Sequence, residues 1–272
     1  MTLGAITWTA NPEIFHLWGF GVRWYGLFFA MSFYLGYIII ERMLKKENLP
    51  VALVDTLATY MIIATVIGAR LGHVLFYQPG YYFSHPIEIF KIWEGGLASH
   101  GAAVAILFAL WLFSRNNNRT FFWSLDRIVI VTALAGCFIR LGNLMNSEIY
   151  GTTTDLPWGF IFPKDLQGDG LPHHPTQIYE AFSYLMIFVF LIWNYIKKNG
   201  KPKEGYTSAM FLILVFGVRF IVEFIKLPQV AEEQKYILDL GQILSIPLVL
   251  FGAGILWVIN KKDKRPIEEI KP

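Results

Sequence analysis

Four polar residues follow an apolar stretch near the middle of the chain. Arg140 comes directly after the run "IVIVTALAGCFI", and Asn143, Asn146 and Glu148 follow it within about two helical turns. A lone charge in a membrane helix costs about 2.5 to 3.5 kcal/mol, so such a residue normally has a partner and a function. Because the arginine fork suits the recognition of phosphate, this spacing indicates a site that binds an anion.

Two further arginines lie in similar apolar surroundings. Arg219 precedes Glu223 by four residues and Arg140 precedes Asn143 by three, so each pair shares a helix face. Glu223 could neutralise Arg219 as a structural pair or orient its guanidinium toward a ligand. Arg70 could contact the same anion or extend to the lipid head groups on its own. The surrounding "GARLG" fits the small-residue pattern of close helix packing.

The composition identifies a membrane protein. Hydrophobic residues make up 55% of the chain and charged residues 16%, against about 25% charged in a typical soluble domain. No Lys or Arg precedes the first apolar run, so we interpret this run as a permanent span and not as a removed signal peptide. The single cysteine, Cys137, excludes an intramolecular disulfide. The net charge of +3 gives no indication of nucleic-acid binding.

The apolar runs predict an all-α integral membrane protein, a bundle of seven transmembrane helices forming a single polytopic domain over residues 1–272. Most Lys and Arg residues lie in alternate connections, which places the N-terminus outside and the C-terminus in the cytoplasm. The two long outward connections, 78–95 and 147–176, are expected to form short arms or loops on the outer face. The predicted spans lie near 18–41, 54–77, 96–114, 125–146, 177–196, 206–226 and 237–260.

This topology predicts that the polar residues share one depth. The three arginines lie 13 to 15 residues into outward-running helices, roughly 20 Å above the inner face. Tyr25 and His100 lie early in inward-running helices and therefore near the same layer. Either could move a proton beside the arginines, although a lone membrane histidine is often only a packing residue.

Metal and nucleophile motifs are scarce in the sequence. We find no HExxH, paired CxxC or GxSxG pattern, and the adjacent His173 and His174 are a weak metal signal. We therefore expect no metal site and no organic cofactor. Without an obvious internal nucleophile, a reaction at this layer would take its nucleophile from a substrate.

The motif "RLGNLMNSEIYG" resembles the signature of the phosphatidylglycerol:prolipoprotein diacylglyceryl transferase family. The resemblance covers essentially the whole chain, because further motifs occur in the order of the family. Ile139 and Leu144 depart from the usual glycine and phenylalanine, which leaves every polar group in place. The further motifs are "RWYGLFFA", "GARLGHVLFY", "GGLASHGA", "HPTQIYEA", "VRFIVEFIKLP" and "LDLGQILSIP".

The resemblance implies roles for the matching residues. His100, Tyr25 and Arg140 would be catalytic, with His100 as the expected proton acceptor. The residues expected to bind the lipid are Arg140, Arg219, Asn143, Asn146, Glu148, Gly151, Glu223 and Arg70. For "HPTQIYEA" we expect a structural role, in which His174 anchors the outer loop.

The implied reaction transfers a diacylglyceryl group from phosphatidylglycerol to the lipobox cysteine of a prolipoprotein signal peptide. A thioether forms and glycerol phosphate leaves. Such an enzyme would lie in the bacterial cytoplasmic (inner) membrane as a multi-pass protein, with its active site in the outer-leaflet half of the bilayer. The alternatives are a seven-helix anionic-lipid-binding protein or transporter, and an intramembrane serine protease, which the missing serine motif disfavours.

Overall fold

The computed structural model describes residues 4–17, 20–165, 168–227 and 238–263, and most of these residues are helical. Four short strands accompany the helices: β1 (Ile6–Thr7), β2 (Glu13–Leu17), β3 (Phe20–Arg23) and β4 (Phe160–Ile161). The helices are α1 (Trp24–Lys46), α2 (Ala52–Phe76), α3 (Pro79–Ser84), α4 (Ser99–Asn116), α5 (Phe121–Met145), α6 (Thr176–Lys197), α7 (Tyr206–Glu223) and α8 (Leu240–Asp263).

Among the described residues, six helices are long and apolar enough to cross a membrane: α1, α2, α5, α6, α7 and α8. This confirms a mostly helical, multi-pass membrane protein. Helix α4 occupies the third predicted span but is not one of the six. Its 18 residues include His100 near the start and Arg115 and Asn116 at the end, which lower its apolar content. The seventh span and the orientation of the termini stay predictions.

The first span begins later than its apolar run suggested. Strands β2 and β3 form an antiparallel hairpin in which Glu13 lies opposite Arg23, and helix α1 begins only at Trp24. The predicted start near residue 18 was wrong, because the backbone of 20–23 pairs with β2 instead of continuing the helix. Tyr25 is consequently the second residue of α1.

The described residues form two compact units, one within 1–39 and 126–272 and the other within 40–125. In the second unit, α2 and α4 approach closely at three glycines. A Cβ added at Gly68 would lie 2.7 Å from the carbonyl oxygen of Gly101, and one at Gly72 would lie 2.7 Å from the Gly101 Cα. These contacts confirm the close packing predicted for "GARLG".

The connection between α2 and α4 is built from short helices. Helix α3 is followed by two 3-10 turns, Pro86–Phe90 and Ile92–Glu94. Phe83, Phe90 and Trp93 expose most of their side chains here. The connection at 78–95 is therefore partly helical, and its position on a membrane surface stays a prediction.

In the first unit, the connection after α5 folds around a small aromatic core. Leu144, Tyr150, Phe160 and Phe162 are buried together, and Trp8 packs against them. The Trp8 indole Nε1 donates a hydrogen bond to the Leu144 carbonyl oxygen at 2.9 Å. Strand β1 also pairs in parallel with β4. These contacts fix the chain that follows Arg140.

A buried carboxylate joins α5 to the start of α7. The carboxylate of Asp126 accepts hydrogen bonds from the backbone N–H groups of Gly205 and Ser208, each at 2.8 Å, and from the Ser208 hydroxyl. Gly205 precedes α7 and has no side chain to cap it. Asp126 therefore supplies the N-terminal cap from a neighbouring helix and fixes α7 against α5.

Candidate active site

The polar residues of the signature motif form one hydrogen-bonded network at the end of α5. Arg140 Nη1 donates to Asn143 Oδ1 at 3.3 Å. The side-chain amides of Asn143 and Asn146 both donate to Glu148 Oε1, at 2.8 Å and 3.0 Å. The network confirms the contact between Arg140 and Asn143 that the helical spacing predicted.

The backbone turns back after α5 and thereby brings Glu148 to the helix end. Ser147 and Ile149 both adopt positive φ, at 56° and 60°. The backbone N–H of Glu148 donates to the Asn143 carbonyl oxygen at 3.1 Å. Left-handed conformations of such residues carry a strain of about 1 to 3 kcal/mol, so the surrounding structure must hold them in place.

Glu180 of α6 is the ion-pair partner of Arg140. Its Oε2 lies 2.9 Å from Arg140 Nε and 3.5 Å from Lys226 Nζ, and the carboxylate is fully buried. Neither Glu180 nor Lys226 was among the site residues predicted from the sequence. A signal was available, because an acidic residue in an apolar helix of spanning length is by default a candidate for a functional site.

Arg219 lies near this cluster, but not in the pair that its spacing suggested. No ion pair joins Arg219 to Glu223 within the described ranges. Instead, Glu223 Oε2 lies 3.7 Å from Lys226 Nζ. The Arg219 Nε is buried without a hydrogen-bond partner among the described residues. The interpretation that Glu223 neutralises Arg219 was therefore wrong, and the cation paired with Glu223 is Lys226.

Gly151 lies where three chain segments meet. Its backbone N–H donates to the His174 carbonyl oxygen at 2.9 Å, and it bridges to Lys226. A Cβ added at Gly151 would meet the Ile225 carbonyl oxygen and would lie 2.8 Å from side-chain atoms of His174 and Thr176. Only a glycine fits this position without displacing backbone.

Tyr25 packs against the same end of α5. A Cβ added at Gly142 would lie 2.7 Å from the Tyr25 ring, so the glycine allows this close approach. Glu148 and Arg140 are both within electrostatic range of the Tyr25 hydroxyl. Tyr25 thus lies at the end of α5 that carries Arg140, and its role in the site stays a prediction.

Arg70 and His100 belong to the other compact unit. Arg70 is buried, and its guanidinium donates to the backbone carbonyl oxygens of Glu88, Ile89, Gly95 and Gly96. It therefore holds the segment before α4 in place and does not extend freely to head groups. His100 is exposed as the second residue of α4, and its ring contacts those of Phe76 and Tyr77. Lipid binding by Arg70 and catalysis by His100 stay predictions.

The two adjacent histidines anchor the connection between α5 and α6. His173 Nδ1 lies 2.8 Å from the Gly151 carbonyl oxygen, and its Nε2 lies 2.8 Å from Asp169 Oδ1. The backbone N–H of His174 donates to the Thr152 carbonyl oxygen at 3.0 Å. The His174 contact supports the structural role expected for "HPTQIYEA". His173 precedes this motif, and acceptors occupy both of its ring nitrogens.

Local contacts shift the pKa values of three groups in this connection. The hydrogen bond from His173 lowers the pKa of Asp169. Burial lowers the pKa of His174, and the neighbouring His173 lowers it further. Burial and the hydrogen bond to Asp165, 2.6 Å long, raise the pKa of Tyr150. The folded connection between α5 and α6 therefore changes how readily these three side chains bind or release a proton.

Comparison with known proteins identifies a protein family over most of the chain. A family model described as prolipoprotein diacylglyceryl transferase matches residues 12–258. A Tolumonas auensis protein named phosphatidylglycerol–prolipoprotein diacylglyceryl transferase is 48% identical over 258 residues, 94% of this chain and 98% of the relative. A relative with the same name in Porphyromonas gingivalis is 45% identical, and the match covers 99% of each chain. Another in Chloroherpeton thalassium is 43% identical, and the match covers 94% of this chain and 95% of the relative. With its polar network at the end of α5 and this likeness over nearly its full length, the chain belongs to the prolipoprotein diacylglyceryl transferase family.

Proposed function

We propose that this chain transfers the diacylglyceryl group of phosphatidylglycerol to the lipobox cysteine of prolipoproteins. The observation that carries the proposal is the family match over residues 12–258. The names of the similar relatives supply the lipid and the protein substrate. Family membership favours this activity over the transporter or anionic-lipid-binding protein that intramembrane arginines alone also suggest.

In this proposal, Arg140 and Arg219 bind the lipid phosphate. Arg140 Nε and Nη1 are engaged by Glu180 and Asn143, while its Nη2 has no partner in the described part of the chain. Arg219 has a buried, unpartnered Nε in the same part of the chain. Each guanidinium therefore retains N–H donors that a phosphate oxygen can satisfy.

The transfer is a substitution at carbon. The cysteine sulfur bonds to the diacylglyceryl carbon next to the phosphate, and the carbon–oxygen bond to the phosphate breaks. The bonding electron pair leaves with glycerol phosphate, and the thiol proton passes to a base. The guanidinium groups of Arg140 and Arg219 accelerate the step because they bind the departing phosphate more strongly as its charge grows.

His100 is the proposed proton acceptor, and Tyr25 is the other candidate. A cysteine thiol has a pKa of about 8.5, so only a few per cent is thiolate near neutral pH. A base and a cationic surrounding both increase that fraction. The step requires no oxidant or reductant, and we propose neither a metal nor an organic cofactor.

The remaining polar residues shape the lipid site. The proposal assigns this role to the network of Asn143, Asn146 and Glu148, to the backbone at Gly151, and to Glu223. We also assign Arg70 a contact with the lipid, and its hydrogen bonds to backbone carbonyl oxygens hold the segment before His100 in place.

The proposed location is the bacterial inner membrane, with the site in the outer-leaflet half. The N-terminus would lie outside and the C-terminus in the cytoplasm, with α4 as the seventh span. The connections at 78–95 and 147–176 would lie on the outer face. Phosphatidylglycerol and the signal peptide would then enter the site laterally from the bilayer.

The test is thioether formation on a synthetic lipobox peptide, with purified protein and phosphatidylglycerol in detergent. We expect the wild type to modify the peptide and to release glycerol phosphate only when peptide is present. Arg140→Ala and His100→Ala should remain folded and lose most of this activity. If the wild type binds the lipid but never modifies the peptide, the transferase proposal fails.

A further inference from the structure

Glu180 occupies a position where an ionised carboxylate is costly. It lies near the start of α6 and its side chain has no exposed surface. Burying a charge costs several kcal/mol unless partners and hydrogen bonds compensate for the lost water. The partners of Glu180 must therefore compensate for the water that its carboxylate has lost.

The partners of Glu180 use both of its oxygens. Oε2 lies 2.9 Å from Arg140 Nε in an ion pair, and it accepts a hydrogen bond from Lys226 Nζ at 3.5 Å. Oε1 accepts a hydrogen bond from the Tyr184 hydroxyl at 3.2 Å. The carboxylate is thus fixed by residues of α6 and by the segment after α7, and Arg140 of α5 contacts a rigid acceptor.

This arrangement defines the plane of the Arg140 guanidinium. Glu180 holds the Nε edge and Asn143 holds Nη1 at 3.3 Å, so the planar group is fixed at two points. Nη2 has no partner within the described ranges, and the side chain retains 13% of its surface. The free edge of the guanidinium therefore has one orientation before any ligand binds.

We propose that Glu180 is a positioning residue, which turns the free Nη2 edge of Arg140 toward the lipid phosphate. This inference rests on the proposed function of Arg140. Glu180 touches no reacting atom, and its whole effect passes through the orientation of Arg140. Lys226 balances its charge, because it lies within 4 Å of both Glu180 and Glu223.

The experiment is a double-mutant cycle between Glu180 and Arg140, read as kcat/KM for phosphatidylglycerol in the peptide assay. Glu180→Gln keeps the size and an acceptor oxygen but removes the charge, and we expect it to lower kcat/KM about 10-fold relative to the wild type. We expect Glu180→Ala to lower kcat/KM about 100-fold relative to the wild type. In an Arg140→Lys background, Glu180→Gln should change kcat/KM less than about 2-fold, because lysine has no planar fork to orient. The matched control is Asp126→Asn, a buried carboxylate that caps α7. It should lower the melting temperature and leave the KM for the lipid unchanged.

Two results would overturn the inference. If Glu180→Gln lowers kcat/KM equally in the wild-type and Arg140→Lys backgrounds, Glu180 acts independently of Arg140. If Glu180→Gln lowers only the melting temperature, as the Asp126 control does, its role is structural.

The dissociation constant for brominated phosphatidylglycerol, measured by tryptophan quenching for the same variants, separates this inference from the proposed function. A wild type that binds this lipid without forming a thioether refutes the function, while a 10-fold weaker dissociation constant for Glu180→Gln still supports the positioning role.

Discussion

Replacing Arg70 tests what this buried arginine does. Its guanidinium donates to four backbone carbonyl oxygens between Glu88 and Gly96, with the Nε–Ile89 oxygen distance at 2.8 Å. It also lies 4.9 Å from the centre of the Tyr82 ring. We expect Arg70→Met to release the segment before α4 and to lower kcat through the displacement of His100.

The magnitude follows from these contacts. Hydrogen bonds to a charged group contribute about 1.5 to 3 kcal/mol each, and a cation–π contact adds about 0.5 to 1 kcal/mol. The terms are not additive, and water replaces part of the loss, so we expect about 3 kcal/mol for the local opening of this segment. Since 1.4 kcal/mol corresponds to a factor of ten, amide exchange should accelerate about 100-fold.

The assay is hydrogen exchange by mass spectrometry in detergent. It follows the amide of Ala98, which donates to the Ala69 carbonyl oxygen at 2.9 Å, and the amide of Lys91, which donates to Glu88 at 3.2 Å. Arg115→Met is the matched control, because Arg115 is exposed at the end of α4 and contacts only a Trp111 ring among the interactions described for it. It should leave both amides unchanged.

A different outcome would refute this account of Arg70. If Arg70→Met leaves the exchange of Ala98 unchanged and raises only the KM for phosphatidylglycerol, then Arg70 contacts the lipid directly, as the sequence first suggested. Arg70→Lys gives a second check, since one ammonium group cannot reach all four carbonyl oxygens. It should restore only part of the protection.

Two further predictions concern the first unit. Gly142→Ala should displace the Tyr25 ring, which would lie 2.7 Å from the new Cβ, and cost about 1 to 3 kcal/mol with a loss of transfer activity. The control Gly26→Ala, with nothing within 4 Å of its new Cβ, should keep the transfer activity and should not lower the melting temperature. The hydrogen bond from His173 lowers the pKa of Asp169, so its contribution to stability is present above about pH 4 and is lost as the pH falls through the lowered value. Melting temperatures measured from pH 6 to pH 3 should therefore fall more steeply for the wild type than for Asp169→Asn, and parallel curves would contradict this assignment.

The sequence predicted the contacts that depend on short-range spacing. Arg140 and Asn143 are three residues apart, and Glu148 follows Asn143 by five, so one helix end and one turn are enough to join them. The glycine pattern around Gly68 likewise predicted close packing of two helices, because the absence of side chains is itself the cause.

The contacts between distant segments could not be predicted in the same way. Arg140 and Glu180 are 40 residues apart in the sequence, and whether they meet depends on how α5 and α6 are rotated about their own axes. Lys226 replaced Arg219 as the partner of Glu223 for the same kind of reason, since the end of α7 is shaped by its bridge to Gly151. The partners of Arg70 are backbone carbonyl groups in the segment before α4. Every residue has such a group, so no sequence pattern indicates which of them Arg70 contacts.

Hydrophobicity and its spacing are properties of the chain itself, and they alone determined that this is a multi-pass helical membrane protein with arginines among its apolar runs. The family motifs added the class of chemistry. Only the tertiary structure decided which charged side chains face one another, because an ion pair such as that of Arg140 and Glu180 requires two helices to present the correct faces at a separation of 2.9 Å. Composition sets how many charges the bilayer must accommodate, and packing sets which of them remain available for a ligand.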